Sequence, residues 1–179
     1  MSDLKTDLII GAGGVGLAGV GMAKAIVKGK VIVADIDPIK RQAALDAGAD
    51  EVIDNSDPGA RKQLMGLTNG GPDGCVDFVG APASVGFGFG VLAKGATMVV
   101  VGLYGGSMDL PISMLPLKVV NLIGSYVGTQ QDLVELLALI KDGKVKPVPH
   151  VKRQLSDAPI AIQELREGKA LGRYVLINY

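Results

Sequence analysis

The stretch Asp7-Leu8-Ile9-Ile10-Gly11-Ala12-Gly13-Gly14-Val15-Gly16 decides the fold of this chain. It is a short apolar run that breaks into a G-x-G-x-x-G pattern at Gly11, Gly13 and Gly16. The first glycine allows a tight turn out of a strand, the second lets a pyrophosphate approach the backbone, and the third lets the next helix pack closely on the sheet. The N–H groups and the positive dipole end of that helix would then face the phosphates.

The segments after this turn complete a strand–helix–strand unit. Residues 15–28 are compatible with a helix, and a second apolar run at residues 30–34 leads directly to Asp35. A carboxylate about twenty residues past the motif can accept a hydrogen bond from an adenosine ribose. The alternative is a turn without a ligand and an Asp35 that ends its strand in solvent. The spacing of the acid favours the dinucleotide interpretation.

Composition narrows the class of protein. The formal net charge is zero and no run of like charges occurs, which argues against a nucleic-acid or membrane-surface partner. Many apolar but few aromatic residues suit a parallel sheet that is covered on both faces. The single cysteine, Cys75, fits a reducing compartment, and Met1–Lys5 lacks the pattern of a secretory signal. We therefore expect a cytoplasmic protein without a membrane span.

Apolar runs alternate with helix-compatible segments along the chain, which is typical of an α/β fold. Six parallel strands are predicted, at residues 6–10, 31–34, 51–53, 75–79, 97–101 and 119–125. The helices between them are predicted at residues 15–28, 37–47, 57–66, 82–93 and 132–141. This pattern predicts a doubly wound Rossmann sheet in the order 3-2-1-4-5-6, with the ligand across the carboxyl ends of strands one and four.

Two segments fit this rhythm less well. The helix at residues 82–93 contains three glycines, each costing roughly 0.5–1 kcal/mol relative to alanine, and residues 108–116 read as an extended connection.

After Gly143 the chain becomes basic and proline-rich. We therefore divide it into a Rossmann domain, residues 1–143, and a tail, residues 144–179. The tail is predicted to form a strand (151–155), a helix (156–168) and a strand (174–178).

Several blocks beyond the glycines resemble the cofactor domain of medium-chain, zinc-dependent alcohol dehydrogenases. These blocks occur in family order at residues 11–17 (GAGGVGL), 33–37 (VADID), 45–50 (LDAGAD), 99–102 (VVVG), 124–129 (GSYVGT) and 172–175 (GRYV). The last two look most like the microbial, tetramer-forming branch. The resemblance covers essentially the whole chain and implies NAD as the cofactor.

The resemblance also implies a further, N-terminal GroES-like catalytic domain that carries the catalytic zinc. One cysteine and one histidine are too few for a site with three such ligands, so we expect no metal site in this chain and zinc only in the missing domain. In this interpretation the chain alone is inactive, and its tail is the segment that returns to the catalytic domain in the family. Without that domain, we expect the tail to be mobile or exchanged with another copy.

The cofactor-binding residues follow partly from the motif and partly from the resemblance. Backbone N–H groups of Gly13, Gly14 and Val15 should contact the pyrophosphate, and Asp35 should favour NAD over NADP by charge repulsion. Family position places Lys40 at the adenosine ribose, or alternatively in solvent, and Arg173 at the pyrophosphate. The remaining candidates by family position, which lie near the nicotinamide and its ribose, are Phe78, Gly80, Val101, Gly102 and Leu103. Phe78 could equally be a core aromatic residue.

Three functions remain open at this point. The first is the NAD(H)-binding domain of a zinc-type alcohol dehydrogenase, present as a truncation or as a piece that works with a separate catalytic domain. The second is a non-catalytic dinucleotide-binding or assembly module. The third is a domain of an NADPH-dependent quinone or enoyl reductase, against which Asp35 argues. In the family the apolar edge strand, Val119 to Ser125, joins two subunits, so we expect a homo-oligomer.

Overall fold

The computed structural model describes residues 5–178 and contains one six-stranded and one two-stranded sheet, both parallel. The large sheet has the predicted order β3-β2-β1-β4-β5-β6. Its strands are β1 (Thr6–Ile10), β2 (Lys30–Ala34), β3 (Glu51–Ile53), β4 (Gly74–Asp77), β5 (Thr97–Val100) and β6 (Asn121–Gly124). The helices are α1 (Gly14–Ile26), α2 (Pro38–Asp46), α3 (Ala60–Leu67), α4 (Pro82–Val91), α5 (Met114–Lys118) and α6 (Gln130–Lys141).

Alternate residues of each strand point to opposite faces, and each face has its own core. On β1, Leu8 and Ile10 join the cluster under α3 and α4, whereas Ile9 joins the cluster under α1 and α2. The central strands are therefore continuous aliphatic runs, as a parallel sheet covered on both sides requires. Ile10 pairs with Ala34 on one side and with Asp77 on the other, so the carboxyl ends of these three strands lie together.

Helix α4 forms although three glycines lie inside it, which confirms the predicted helix. The structure shows what one of them does. A Cβ at Gly88 would lie 2.8 Å from Met98 Cε, 2.9 Å from Ile10 Cδ1 and 3.0 Å from Cys75 Sγ. The glycine therefore lets α4 approach the sheet more closely than alanine could, which offsets its low helix propensity.

Several predicted boundaries were wrong. The Asp57-Pro58 pair does not open α3, because the Asp57 carboxylate accepts from Gly59 N (2.6 Å) in a turn and the helix begins at Ala60. Strand β4 ends at Asp77 rather than at the predicted Val79, because the Asp77 carboxylate accepts hydrogen bonds from Val79 N and Gly80 N. The predicted extended connection contains α5, whose C-cap Val119 has a left-handed φ of 55°, so β6 starts later than predicted.

The tail after Gly143 forms β7 (His150–Gln154), a 3₁₀ turn, α7 (Ala158–Arg166) and β8 (Arg173–Ile177), with β7 and β8 paired in parallel. It packs on its own chain, because Val148 and Leu171 contact the core under α1 and α2 and Val145 is buried beside Gly21. The expectation of a mobile or exchanged tail is therefore wrong for the described residues. Helices α1 and α2 therefore cover part of its apolar surface.

Candidate cofactor crevice

The order of the parallel strands reverses between β1 and β4, and a crevice of about 430 Å³ opens at their carboxyl ends. Open parallel sheets bind ligands at this kind of switch point. Nine of the thirteen predicted cofactor residues line the crevice: Gly11, Gly13, Gly14, Val15, Gly16, Asp35, Lys40, Phe78 and Arg173. Residues from β1, β2, β4 and the tail thus meet in one place.

Close contacts at Gly11 and Gly16 leave no room for a side chain, whereas Gly13 is open. Gly11 has a φ of 89°, and its N–H donates to Ala34 O at 2.8 Å. A Cβ at Gly16 would overlap the Gly11 carbonyl oxygen, whereas a Cβ at Gly13 would have no heavy atom within 4 Å. Gly16 is therefore required by packing, and Gly13 faces open space where a ligand can approach the backbone.

The N-terminus of α1 opens toward this space. Gly13 is its N-cap, and no side chain among the described residues forms a capping hydrogen bond there. The first N–H groups of a helix lack partners within the helix, and the helix dipole makes this end favourable for an anion. The arrangement can hold a phosphate group through backbone atoms alone.

Asp35 lies at the end of β2 and is fixed by two backbone hydrogen bonds. Its Oδ2 accepts from Ala12 N at 2.7 Å, and its Oδ1 accepts from Asp37 N at 2.9 Å. The carboxylate therefore ties the Gly-rich turn to the start of α2. An ionised carboxylate can accept about four hydrogen bonds, so lone pairs remain for a ligand hydroxyl. The sequence pattern predicted the ligand contact but missed this structural role.

Arg41 joins the ends of β2 and β3 beside Asp35. Its Nη1 donates to the Asp35 carbonyl at 2.7 Å and lies 3.1 Å from Asp54 Oδ2. Hydrogen bonds from the side chain and the backbone of Ser56 lower the pKa of Asp54, and the charge of Arg41 lowers it further. The loops on both sides of Asp35 are thus fixed by polar contacts of their own.

Two cations approach the crevice from different elements. Lys40 comes from α2, and Arg173 comes from the start of β8 in the tail. The Arg173 guanidinium lies against Gly14, where a Cβ would come within 2.5 Å of Nη1, and the Arg173 N–H donates to Pro149 O at 2.9 Å. The tail itself therefore holds Arg173 next to the N-terminus of α1.

The other four candidates do not line this crevice but form the paired loops beside it. Val101 N and Gly102 N donate to Asp77 O at 2.8 and 3.0 Å, and a Cβ on Gly80 would overlap Gly102 O. Leu103, the fourth, is 79% exposed. Buried Asp77 organises both loops, since its carboxylate also accepts from Val79 N, Gly80 N and Ser84 Oγ.

Phe78 packs against α1 and also lines the crevice. Its ring is half-buried against the glycines of α1, where a Cβ on Gly19 would come within 2.6 Å of Phe78 Cζ, and it also lines the crevice. Val79, Tyr104 and Leu165 line the crevice as well and were not predicted. Tyr104 lies in the Gly-rich loop after β5, and this sequence pattern could have identified it as a candidate. Leu165 reaches the crevice only because the tail folds back, which no local pattern reveals.

A second cleft of about 360 Å³ continues from the crevice, since both are lined by Gly11, Asp35, Val79 and Tyr104. Its walls are mostly apolar and include Ile36. The two spaces together give a polar, glycine-rich half and an apolar half on either side of one carboxylate. This is the geometry that a nucleotide with a base, a ribose and a phosphate requires.

Comparison with known proteins agrees with this geometry. Residues 14–142 match the family model described as zinc-binding dehydrogenase. The chain belongs to this family. It is 35% identical over 175 residues to an NAD-dependent alcohol dehydrogenase of Sulfurisphaera tokodaii and 34% identical to that of Saccharolobus solfataricus. These alignments cover 97% of this chain and 50% of each relative. The chain therefore spans about half the length of these relatives.

Solved structures of zinc-binding dehydrogenases and other proteins share the fold. The alcohol dehydrogenase of the archaeon Aeropyrum pernix superposes with a TM-score of 0.90 at 33% identity, over 97% of this chain and 50% of that chain. Within residues 5–178, no group of three or more His, Cys, Asp and Glu side chains is arranged to hold a metal ion. No helix in the same range is long and apolar enough to cross a membrane.

Proposed function

We propose that this chain is an NAD(H)-binding domain of an alcohol dehydrogenase. The observation that carries the proposal is the fixed Asp35 carboxylate, which stands between the open N-terminus of α1 and an apolar cleft. The two archaeal relatives named above are described as NAD-dependent alcohol dehydrogenases. Family membership and site geometry therefore point to the same cofactor.

Each part of the crevice suits one part of the dinucleotide. The free N–H groups at Gly13, Gly14 and Val15 bind the pyrophosphate, and the Arg173 guanidinium adds a charge-assisted contact. Asp35 accepts from the adenosine ribose, with Lys40 beside it. The paired loops described above, with Gly80, Val101, Gly102 and Leu103, receive the nicotinamide ribose and carboxamide.

Preference for NAD over NADP follows from how Asp35 is held. Because both carboxylate oxygens accept backbone N–H groups, the side chain cannot turn away from a 2′-phosphate without losing them. A phosphate at that point would face a like charge in a confined site, which raises its free energy of binding. This feature argues against the reductase alternative that uses NADPH.

Bound NAD would accept a hydride from an alcohol, and this chain would bind and orient the dinucleotide. The described residues do not provide a zinc site, so we assign no step to a metal in this chain. Alcohol oxidation would then need a catalytic domain that supplies the metal chemistry. We assign residues 1–143 to the NAD-binding domain and residues 144–179 to a segment that, in an assembled enzyme, contacts the catalytic domain.

Isothermal titration with NAD, NADH and NADP tests the cofactor assignment. We expect binding of NAD and NADH in the micromolar to millimolar range and at least about tenfold weaker binding of NADP, which corresponds to 1.4 kcal/mol. Tighter binding of NADP than NAD would favour the reductase alternative instead.

The edge of the sheet supports an assembly role. All four residues of β6 are exposed, including Leu122 and Ile123, and α6 has no buried residue. An exposed apolar edge strand is a template for pairing with another strand. We propose a homodimer through residues 119–125, which sedimentation tests: Ile123→Lys should yield monomer, whereas an already monomeric wild type would contradict the proposal.

Two further assignments complete the proposal. Mixing the chain with a separately expressed catalytic domain of a relative should restore alcohol oxidation if it works with such a partner. A purely non-catalytic module would show NAD binding without restored oxidation. We also assign the protein to the cytoplasm, since its one cysteine, Cys75, is a buried free thiol that suits a reducing compartment.

A further inference from the structure

Asn55 lies just after β3 and carries a buried polar atom without a partner. Its Oδ1 is shielded from solvent and has no hydrogen-bond partner among the described residues. Its neighbours are satisfied, because Asp54 accepts from Ser56 N at 2.9 Å and pairs with Arg41 at 3.1 Å. The turn is therefore fixed by other residues, and the amide oxygen of Asn55 takes no part in holding it.

A buried acceptor without a donor destabilises a folded protein, so such atoms are uncommon. Asn55 lines the apolar cleft described above, together with Val79, Ala81 and Ile36. Most of the other lining side chains are aliphatic, and the Ser84 hydroxyl donates to Asp77 and Ala81 instead, so the amide oxygen of Asn55 receives no hydrogen bond from the lining. A ligand in the cleft could provide the missing hydrogen-bond donor.

The position of the cleft indicates which part of a dinucleotide would enter it. It shares Gly11 and Asp35 with the crevice that contains the N-terminus of α1. A nucleotide with its pyrophosphate at that helix and its ribose at Asp35 has its base on the far side of Asp35, in the cleft. There the faces of the base would meet Ile36 and Val79, and its edge would reach Asn55.

We propose that Asn55 selects adenine by accepting a hydrogen bond from its exocyclic amino group at Oδ1. This inference rests on the proposed function. Adenine presents an N–H donor at this position of the ring, whereas hypoxanthine presents a carbonyl oxygen. With hypoxanthine, the amide oxygen would face another acceptor, and Asn55 would have to turn its Nδ2 toward the base and give up the buried position of Oδ1. Sites that satisfy a ligand donor discriminate strongly against analogues that lack it.

Isothermal titration with NAD and nicotinamide hypoxanthine dinucleotide tests this role. Wild type should bind NAD about tenfold or more tightly than the hypoxanthine analogue. Asn55→Leu should bring this ratio close to one, mainly by weakening NAD. Asn55→Asp, which keeps an acceptor, should preserve the preference. Lys62→Gln, at an exposed position of α3 outside the cleft lining, should behave as wild type.

The outcomes separate this inference from the function on which it rests. If wild type binds neither dinucleotide, the proposed function fails and the role of Asn55 falls with it. If wild type binds both equally, or prefers hypoxanthine, only the role of Asn55 is overturned. The wild-type ratio decides the question even if a variant fails to fold. An unchanged preference in a folded Asn55→Leu variant would also contradict the proposal.

Discussion

Replacing Asp35 by asparagine should destabilise the protein even when no cofactor is present. The carboxylate accepts from Ala12 N at 2.7 Å and from Asp37 N at 2.9 Å, in a partly buried position. Asparagine keeps one oxygen, so its NH₂ group must face one of the two backbone donors. A hydrogen bond to a charged group contributes about 1.5–3 kcal/mol. We expect a loss of about 2 kcal/mol, which corresponds to a drop in Tm of about 4–8 °C.

Urea denaturation without ligand measures this loss. Asp37→Asn is the matched control, because Asp37 caps α2 through Ile39 N at 2.8 Å and asparagine caps a helix about as well as aspartate. That variant should stay within about 0.5 kcal/mol of wild type. If Asp35→Asn is equally stable, the carboxylate does not hold the Gly-rich turn, and our explanation of its fixed orientation fails.

Three shorter predictions concern the turn and the buried groups near it. Gly16→Ala should destabilise the protein by about 1–3 kcal/mol or more, because its Cβ would overlap the carbonyl oxygen of Gly11. Gly13→Ala should keep the fold and weaken NAD binding. Denaturation and NAD titration of both variants test this, and equal losses of stability would contradict it. Burial raises the pKa of Cys75 to about 12, so iodoacetamide should label it only after unfolding, and rapid labelling of native protein would refute this. Burial and then the charge of Asp73 raise the pKa of Asp7; since ionised Asp7 is therefore unfavourable in the folded state, Asp7→Asn should raise Tm at pH 7. This gain should disappear below about pH 3.8, where Asp7 is protonated in both states, and a thermal melt at each pH would reveal any gain that persists.

The sheet order and most helices could be predicted because they depend on local patterns. Continuous aliphatic runs mark strands covered on both faces, and the Gly-rich turn after the first strand marks where the strand order reverses. The predicted ends of helices and strands were wrong where a side chain forms a hydrogen bond with the backbone a few residues away. Thr129 and Asp132, for example, form a capping box that starts α6 at Gln130, two residues before the predicted start.

The sequence could predict that Gly13, Asp35 and Arg173 lie in the crevice, because the motif or the family order places each of them. Their contacts with a cofactor stay predictions. The sequence pattern could not show that Asp35 also holds the turn, since that depends on the distance between two loops. Nor could it place Leu165 in the crevice or Asn55 in the cleft. Those positions follow from how the tail and β3 meet the rest of the domain.

Backbone NMR during titration with NAD tests the central claim most directly. Our account predicts that the amide signals of Gly13, Gly14, Val15 and Asp35 shift together and saturate with a single Kd, because one ligand occupies the crevice at their helix terminus and carboxylate. Shifts of Gly80 and Gly102 should follow the same curve if the nicotinamide half reaches the paired loops. Unchanged signals at Gly13–Val15 in the presence of millimolar NAD would contradict the account.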